Sequence, residues 1–430
     1  MRVLGLTVGL TMGCLAGGRA AASDDWPQWR GPDRTGVSTE TGLLDRWPEG
    51  GPPLVWTATG AGEGYSSLAV ADGRLFTMGN RDDSEYVICF DVRDGHETWA
   101  RRTGRAYANG RGNGPRGTPT VDGKFVYAEG ANGDLVCLDA ATGEAKWHVN
   151  LIRDLGGKNI GWGLSESVLI VDDKLICTPG GRGVSVAALD KHTGKPIWKS
   201  GNDPAGYSSP MLGQLDGKPY VVVFTQSTAR GVSLDDGEEL WQYDRANNGT
   251  ANVATPIIHD NHVFLSSDYG TGAGLLELTA DGDRVHAKEV YFTRDMRNHH
   301  CTSVLVDGHL YGFSGQTLNC IVFATGKLKW NKRSVGKGSL VYADGHLYCF
   351  SEKGVVGLVE ATPQAYREKG RFELARSEWE SWAHPVVVGG RLYLRDQDKI
   401  RAYDVTAEKV SRIDSPVRPR TYEQLVKGFR

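Results

Sequence analysis

Long apolar runs are the first thing this sequence lacks. Beyond Leu15 no stretch approaches the roughly 18 apolar residues of a membrane-crossing helix. Cysteines in Cys-x-x-Cys spacing are missing as well, which removes the usual signal of a zinc site. An excess of one charge is also missing: 49 basic residues face 52 acidic ones, so nothing points to bulk nucleic-acid binding. Hydrophobic residues make up only 40% of the 430, while glycine reaches 57 and tryptophan 12. That balance argues against a helical bundle and suits many short strands joined by tight turns.

The N-terminus reads as an export signal. Arg2 is followed by an apolar run from Val3 to Leu15 and by the small residues Ala20-Ala21-Ala22, so cleavage is expected before Ser23. The residues before Cys14, Leu10-Thr11-Met12-Gly13, place leucine one position too far upstream for a lipoprotein box, which argues against a lipid anchor there. Cleavage removes Arg2 and Arg19 and no acid, leaving 47 basic against 52 acidic residues, a net charge of −5. The chain is therefore expected to be exported, periplasmic or associated with the cell envelope. Six cysteines would remain. Cys89 and Cys137 each stand two residues before an aspartate, Asp91 and Asp139, and Cys177 and Cys349 each follow a turn by one offset. Residues in such equivalent places face neighbouring sheets, so these read as small apolar strand residues rather than a disulfide framework.

What is present is a repeat. A polar turn followed two residues later by an apolar residue, usually with an aromatic after it, recurs at Asp72-Gly73, Asp122-Gly123, Asp172-Asp173 and Asp216-Gly217, then at Asp260-Asn261, Asp307-Gly308, Asp344-Gly345 and Gly389-Gly390. Successive second turn residues are 50, 50, 44, 44, 47, 37 and 45 apart. Asp-Gly tips supply the positive φ that a two-residue hairpin between twisted strands requires. A second signature, Asp-x-x-Thr-Gly-x-x-x-Trp, closes the unit from Asp139 to Trp147 and from Asp190 to Trp198, with looser copies ending at Trp99, Trp241 and Trp330. Units of this length, each with four strands, predict an all-β, eight-bladed β-propeller of antiparallel blades. The last unit reaches Tyr403-Asp404 without its tryptophan strand, whereas Pro53-Leu54-Val55-Trp56 offers one early in the chain. The N-terminal strand is expected to complete the last blade and cover its edge. Two copies look decayed: Asp281-Gly282 lacks a following tryptophan, and Glu360 to Tyr366 replaces the signature in the seventh unit. The expected organisation is a leader over 1–22, an N-terminal segment over 23–52, the propeller over 53–410 and a tail over 411–430. If the segment over 23–52 only drapes across the surface, losing Trp26 costs far less than losing Trp147.

The unit Leu135 to Trp147, the stretch Gly206-Tyr207-Ser208-Ser209-Pro210 and the opening Trp26-Pro27-Gln28-Trp29-Arg30-Gly31-Pro32 resemble the pyrroloquinoline-quinone (PQQ)-like propeller family over about residues 24–410. The resemblance implies two classes of function. One is the quinoprotein dehydrogenases, which carry PQQ and usually calcium above the central channel. The other is non-catalytic scaffolds such as outer-membrane assembly lipoprotein B, which use the same repeats to hold partners. The adjacent cysteines of the methanol-oxidising dehydrogenases and a haem-binding Cys-x-x-Cys-His are both missing from this chain.

In a propeller the loops leading into the innermost strands surround the channel mouth, where a ligand sits. Those loops carry Tyr65, Arg116, Trp162 to Glu166, Tyr207, Asn252, His299-His300, Lys337 and Trp382 to His384. Arg116, Trp162, Tyr207 and Trp382 are the candidate ligand contacts, an arginine fork for carboxylates and rings for stacking. Glu166 and Asn252 are the pair nominated for calcium, short of the six to eight oxygens that ion prefers. Arg101, Arg102, Arg105, Arg111 and Arg116 share one Gly-rich connection that reads either as an anion clamp or as an ordinary solvated loop. The adjacent His299 and His300 point to opposite faces if they lie in a strand, and structural histidines explain them better than a metal does. No catalytic residue is nominated. The sequence thus favours an exported binding or scaffold protein, monomeric and without a cofactor, that meets a protein or cell-envelope partner. The alternative is a PQQ- and calcium-dependent alcohol dehydrogenase.

Overall fold

A computed structural model describes residues 25–407, apart from 283 and 376. The expected leader with Cys14, and the whole of the tail over 411–430, lie outside the described residues. Within them are eight four-stranded antiparallel sheets, one per repeat unit, arranged as the blades of a propeller. The turns take the conformation their sequence demands: Asp72 and Gly73 have φ of 49° and 72°, and Asp344 and Gly345 have 44° and 77°. The last sheet is built from Val386–Val388, Arg391–Asp396 and Lys399–Asp404, and its outermost strand is Leu54–Ala58. Trp56 there lies opposite Ala402 and Ala58 opposite Ile400. Covering that edge with the chain's own early strand leaves no open sheet at the closure.

A repeated contact joins most blades to the next. The indole of Trp99 lies under the glycine turn of the following blade, and its Nε1 donates to Ala140 O at 3.2 Å. A Cβ on Gly143 would sit 2.6 Å from the Trp99 ring, and Gly143 itself has φ of 69°. Glycine is required here on both counts. Trp56, Trp147, Trp198 and Trp330 repeat the donation, to Val92 O, Lys191 O, Leu234 O and Thr362 O at 2.8–3.1 Å. Beneath three of these rings sits a cysteine, Cys89 opposite Trp99, Cys137 opposite Trp147 and Cys320 opposite Trp330. All six described cysteines are unpaired and buried.

The two decayed copies turn out to be substituted rather than lost. The fifth blade extends its outer hairpin to Gly272–Asp281 and Arg284–Thr293, and Tyr291 takes the tryptophan's place, donating its hydroxyl to Phe323 O at 2.8 Å. In the seventh blade Gly370 stands at the tryptophan's register, opposite Leu358, and Trp47 of the N-terminal segment fills the space, packing on Phe372 (5.4 Å), which in turn packs on Tyr403 (5.0 Å). Two boundaries lack the donation: the seventh to the eighth, where Phe372 carries no side-chain N–H and Trp47 Nε1 finds no acceptor among the described residues, and the fourth to the fifth. The fifth blade has no Thr-Gly turn, and Trp241 Nε1 finds no acceptor among the described residues. There Tyr243 donates to Glu289 at 2.7 Å, and Glu289 also pairs with Arg245.

The N-terminal segment does not drape over the surface. Trp26 is 3% exposed and exchanges backbone hydrogen bonds with Val70 at 2.7 and 2.8 Å. The chain then enters the axial channel, where Arg30 and Arg34 are buried (4% and 3% exposed). Arg30 donates to the carbonyls of Thr302 and Ser303, and Arg34 to those of Pro210, Ser167 and Val168. Neither arginine is in an ion pair among the described residues. A guanidinium's planar fork of donors suits such multiple carbonyl contacts, which offset its desolvation.

Trp26→Ala is accordingly expected to cost about 3–5 kcal/mol, as buried aromatic truncations do. Trp147→Ala, at a half-buried ring, is expected to cost less, about 2–3 kcal/mol including the lost hydrogen bond. Urea unfolding of both variants checks the order. A Trp26→Ala loss smaller than that of Trp147→Ala would show that the segment is not part of the core.

Candidate functional site

Repeat-equivalent hydroxyls fix the inner ends of the blades. Ser67 N donates to Thr118 Oγ1, Thr118 N to Ser167 Oγ, Ser167 N to Ser209 Oγ and Thr255 N to Thr302 Oγ1, all at 2.9–3.1 Å. Each bond runs from one blade to the next and satisfies a backbone N–H that would otherwise be buried without a partner. The loops above this girdle are thereby held rigidly around the axis.

They enclose a cavity of about 620 Å³. Arg116, Trp162, Tyr207 and Trp382 all border it, as do Tyr65, His299, His300 and Lys337. Glu166 and Asn252 do not. Glu166 accepts from Thr178 N and from Thr178 Oγ1 (2.7 Å), and Asn252 is held by Asn248 N (3.0 Å) and Thr225 O (2.9 Å). Both are buried inside the blades, at 2% and 0% exposure. The arginine-rich connection also divides. Arg101 bonds Gly143 O and Arg102 bonds Ser84 Oγ on an outer strand, leaving only Arg111 and Arg116 at the cavity.

The walls are rings. Tyr65 stacks on Trp382 at 4.6 Å and 29°, and His300 lies against the Trp382 ring at 6.0 Å and 30°. Trp162 and Tyr207 face each other at 5.4 Å. Arg116 lies over the rings of Tyr65 and Tyr107, at 5.2 and 5.3 Å, and donates to Gly114 O and Gly112 O. Burial lowers its pKa, with nearby tyrosines opposing. Lys337 pairs with Glu352 at 3.1 Å, and Trp382 Nε1 reaches the same carboxylate at 3.4 Å.

No sequence signal placed Trp29, which lines the cavity at the girdle. Its Nε1 donates to Thr255 Oγ1 at 2.9 Å, and its ring lies 4.5 Å from that of His384. The Ser/Thr recurring at seven of the eight inner-strand starts, with His384 at the last, is the signal that reveals the girdle. Nothing in the repeat spacing reveals that residues outside the repeats fill its centre.

Burial governs the titration here. It depresses the His299 and His384 pKa values to about 4 and about 3, and pushes that of His300 well below its ordinary value. All three are therefore neutral near pH 7. Beside the channel, burial raises Glu85 to about 8, opposed by the Ala131 N–H. Glu129 and Glu166 form a buried carboxyl pair, both raised by desolvation, with the Glu129 carboxyl the more strongly raised.

Eight four-stranded blades around an aromatic axial cavity define a β-propeller built on PQQ-like repeats. The family described as outer membrane protein assembly factor BamB matches residues 37–160 and 83–332, more than half of the chain, and the chain belongs to that family. A BamB from Burkholderia pseudomallei (strain K96243) is 24% identical over 281 residues. That alignment takes in 60% of this chain and 66% of the relative, short of two thirds of the relative's length. Among solved structures, BamB from Moraxella catarrhalis is similar over 76% of this chain and 95% of its own (TM-score 0.54, 15% identity). Quinohemoprotein alcohol dehydrogenase from Comamonas testosteroni is similar over 90% and 82% (TM-score 0.63, 13% identity). At those identities the structural likeness is one of fold alone. No helix among the described residues is long and apolar enough to cross a membrane.

Glu85 gives a pH test. Its folded pKa near 8 lies above the unfolded value of 4.5, so the folded state holds a proton that unfolding releases across that window. Its stabilisation is complete below about pH 4.5 and is lost as pH rises toward 8. From pH 5 to pH 8 the wild type should lose, relative to Glu85→Gln, on the order of 3 kcal/mol of unfolding free energy. A pH-independent difference would mean that Glu85 is ionised in the fold.

Proposed function

We propose that this chain is a non-catalytic binding or scaffold protein of the cell envelope, exported by its 1–22 leader and acting as a monomer. The rigid ring holds the axial cavity as the seat for a protruding group of a protein or envelope partner. The observation that carries this reading is how the cavity uses its polar groups. It presents ring faces, while Arg116 is occupied by the Gly112 and Gly114 carbonyls and Lys337 by Glu352. Its histidines, His299 and His300, have pKa values depressed by burial and are weak bases near neutral pH, where general-base chemistry needs a group that titrates close to the working pH. The relative that assembles outer-membrane proteins, by its name, supports an envelope role for this chain.

A PQQ- and calcium-dependent alcohol dehydrogenase is the second reading, favoured by Arg116, Trp162 and Trp382 at one cavity and by the fold shared with the Comamonas enzyme. Calcium does not fit the pair nominated for it, because Glu166 and Asn252 have their oxygens bonded within the blades and neither borders the cavity.

Adding PQQ with calcium to the purified protein separates the two readings. The binding reading expects a melting shift below about 2 °C, as when ligand does not exceed its dissociation constant, and no alcohol-dependent reduction of a dye. A larger shift that vanishes in Arg116→Ala, together with turnover, would establish the enzyme.

A further inference from the structure

The eight blades alone leave their axis open, and what closes it comes from outside the repeats. We infer that Trp29 is a specificity-determining residue: the N-terminal segment is a stopper built into the channel, and the Trp29 ring sets how deep a ligand reaches. This rests on the reading of the axial cavity as the binding seat.

Three observations carry the inference. First, Trp29 borders the cavity from below, and its orientation is fixed by Thr255 on one side and His384 on the other. Second, the segment is anchored by two guanidiniums that gather carbonyls from the third, fourth and sixth blades, so it is tied to the ring at points two and three blades apart. Third, the shape of the segment is specified by its own sequence. Arg30, Gly31, Arg34 and Gly36 all have positive φ (62°, 87°, 56° and 73°). A Cβ on Gly31 would lie 2.9 Å from Trp26, and one on Gly36 would lie 2.7 Å from the Arg30 guanidinium. Side chains rarely adopt such φ values, so four within seven residues mark a tightly specified coil rather than a loose leader. Because the floor belongs to no blade, its depth can change without disturbing any strand of the ring. The occupant implied is a flat ring bearing negative charge. It would be carried on the partner's protruding group, stopped at Trp29 and flanked by the Tyr65–Trp382 stack, beside Arg116, whose charge the Gly112 and Gly114 carbonyls do not neutralise.

The test uses two anionic ring probes of different length, 1-anilinonaphthalene-8-sulfonate and its double-length dimer, titrated by fluorescence. Trp29→Ala is expected to raise affinity for the long probe relative to the short one by about fivefold or more. Trp29→Phe, which keeps a ring on the floor, is expected to hold the wild-type ratio and serves if the alanine variant fails to fold. A third variant, Trp29→Cys, reads the geometry without any ligand. The six described native cysteines are buried, so a small anionic thiosulfonate should label the thiol introduced at position 29 in the folded protein. A folded Trp29→Cys variant that takes up no label, or an unchanged probe ratio in folded Trp29→Ala, overturns the assignment of Trp29. If the Trp29→Cys variant is labelled but Trp382→Ala at the mouth leaves both probe affinities unchanged, or neither probe binds the wild type, the cavity is not the seat. In that case the binding reading falls, and the inference with it.

Discussion

An indole N–H removed from water must find an acceptor, and in this ring the acceptor lies in the next blade. That one donation, from an outer aromatic to a turn carbonyl that in most blades lies three residues before a glycine, ties the conserved places of the repeat to one another. The tryptophan needs a small residue beneath it, which is why Cys89, Cys137 and Cys320 stand where they do. The glycine needs both positive φ and the lack of a side chain, because the neighbour's ring fills the space. The aspartate that opens the turn accepts from the backbone two and three residues on, as Asp139 does from Ala141 and Thr142. A propeller has few contacts between blades that are not neighbours, so its cohesion depends on repeating such boundary contacts, and this donation is made at six of the eight.

The inner end of each blade meets a different constraint. Backbone groups there face a narrow channel, and they are satisfied by the neighbouring blade's hydroxyl or by a guanidinium. Arg30, Arg34 and Arg395 are each surrounded by carbonyls, with burial lowering their pKa to about 9. Arg395 alone gathers Ser66 O, Met78 O, Ala61 O and Gly62 O, bridging the last blade to the first beside the closure. The same chemistry therefore closes the ring and holds the stopper, and the cavity above is what remains open of the axis.

Periodic features were legible in the sequence and singular ones were not. The Asp-Gly tips and the Thr-Gly-x-x-x-Trp signature recur, so blade number and strand count could be read from spacing, while the family resemblance lay in the motifs themselves. The cavity contacts Arg116, Trp162, Tyr207 and Trp382 followed, because a propeller places every inner-strand lead-in at one mouth. Glu166 and Asn252 stand in the same kind of position, yet Thr178 and Asn248 claim their oxygens, and no spacing rule reveals such local competition. Tyr291 was invisible for a related reason: a lengthened hairpin moves the aromatic away from its fixed offset. Trp29, Arg30 and Arg34 occur once, and a segment outside the repeats carries no period from which to place it.

The contact between blades can be measured directly by hydrogen exchange of the indole N–H groups, resolved by NMR. Trp56, Trp99, Trp147, Trp198 and Trp330 donate across a boundary, whereas Trp241 has no acceptor among the described residues. The five are expected to exchange slowly and Trp241 at least about tenfold faster, since protection tracks a bonded, closed state. Equal protection at all six would contradict the claim that this donation holds the blades together.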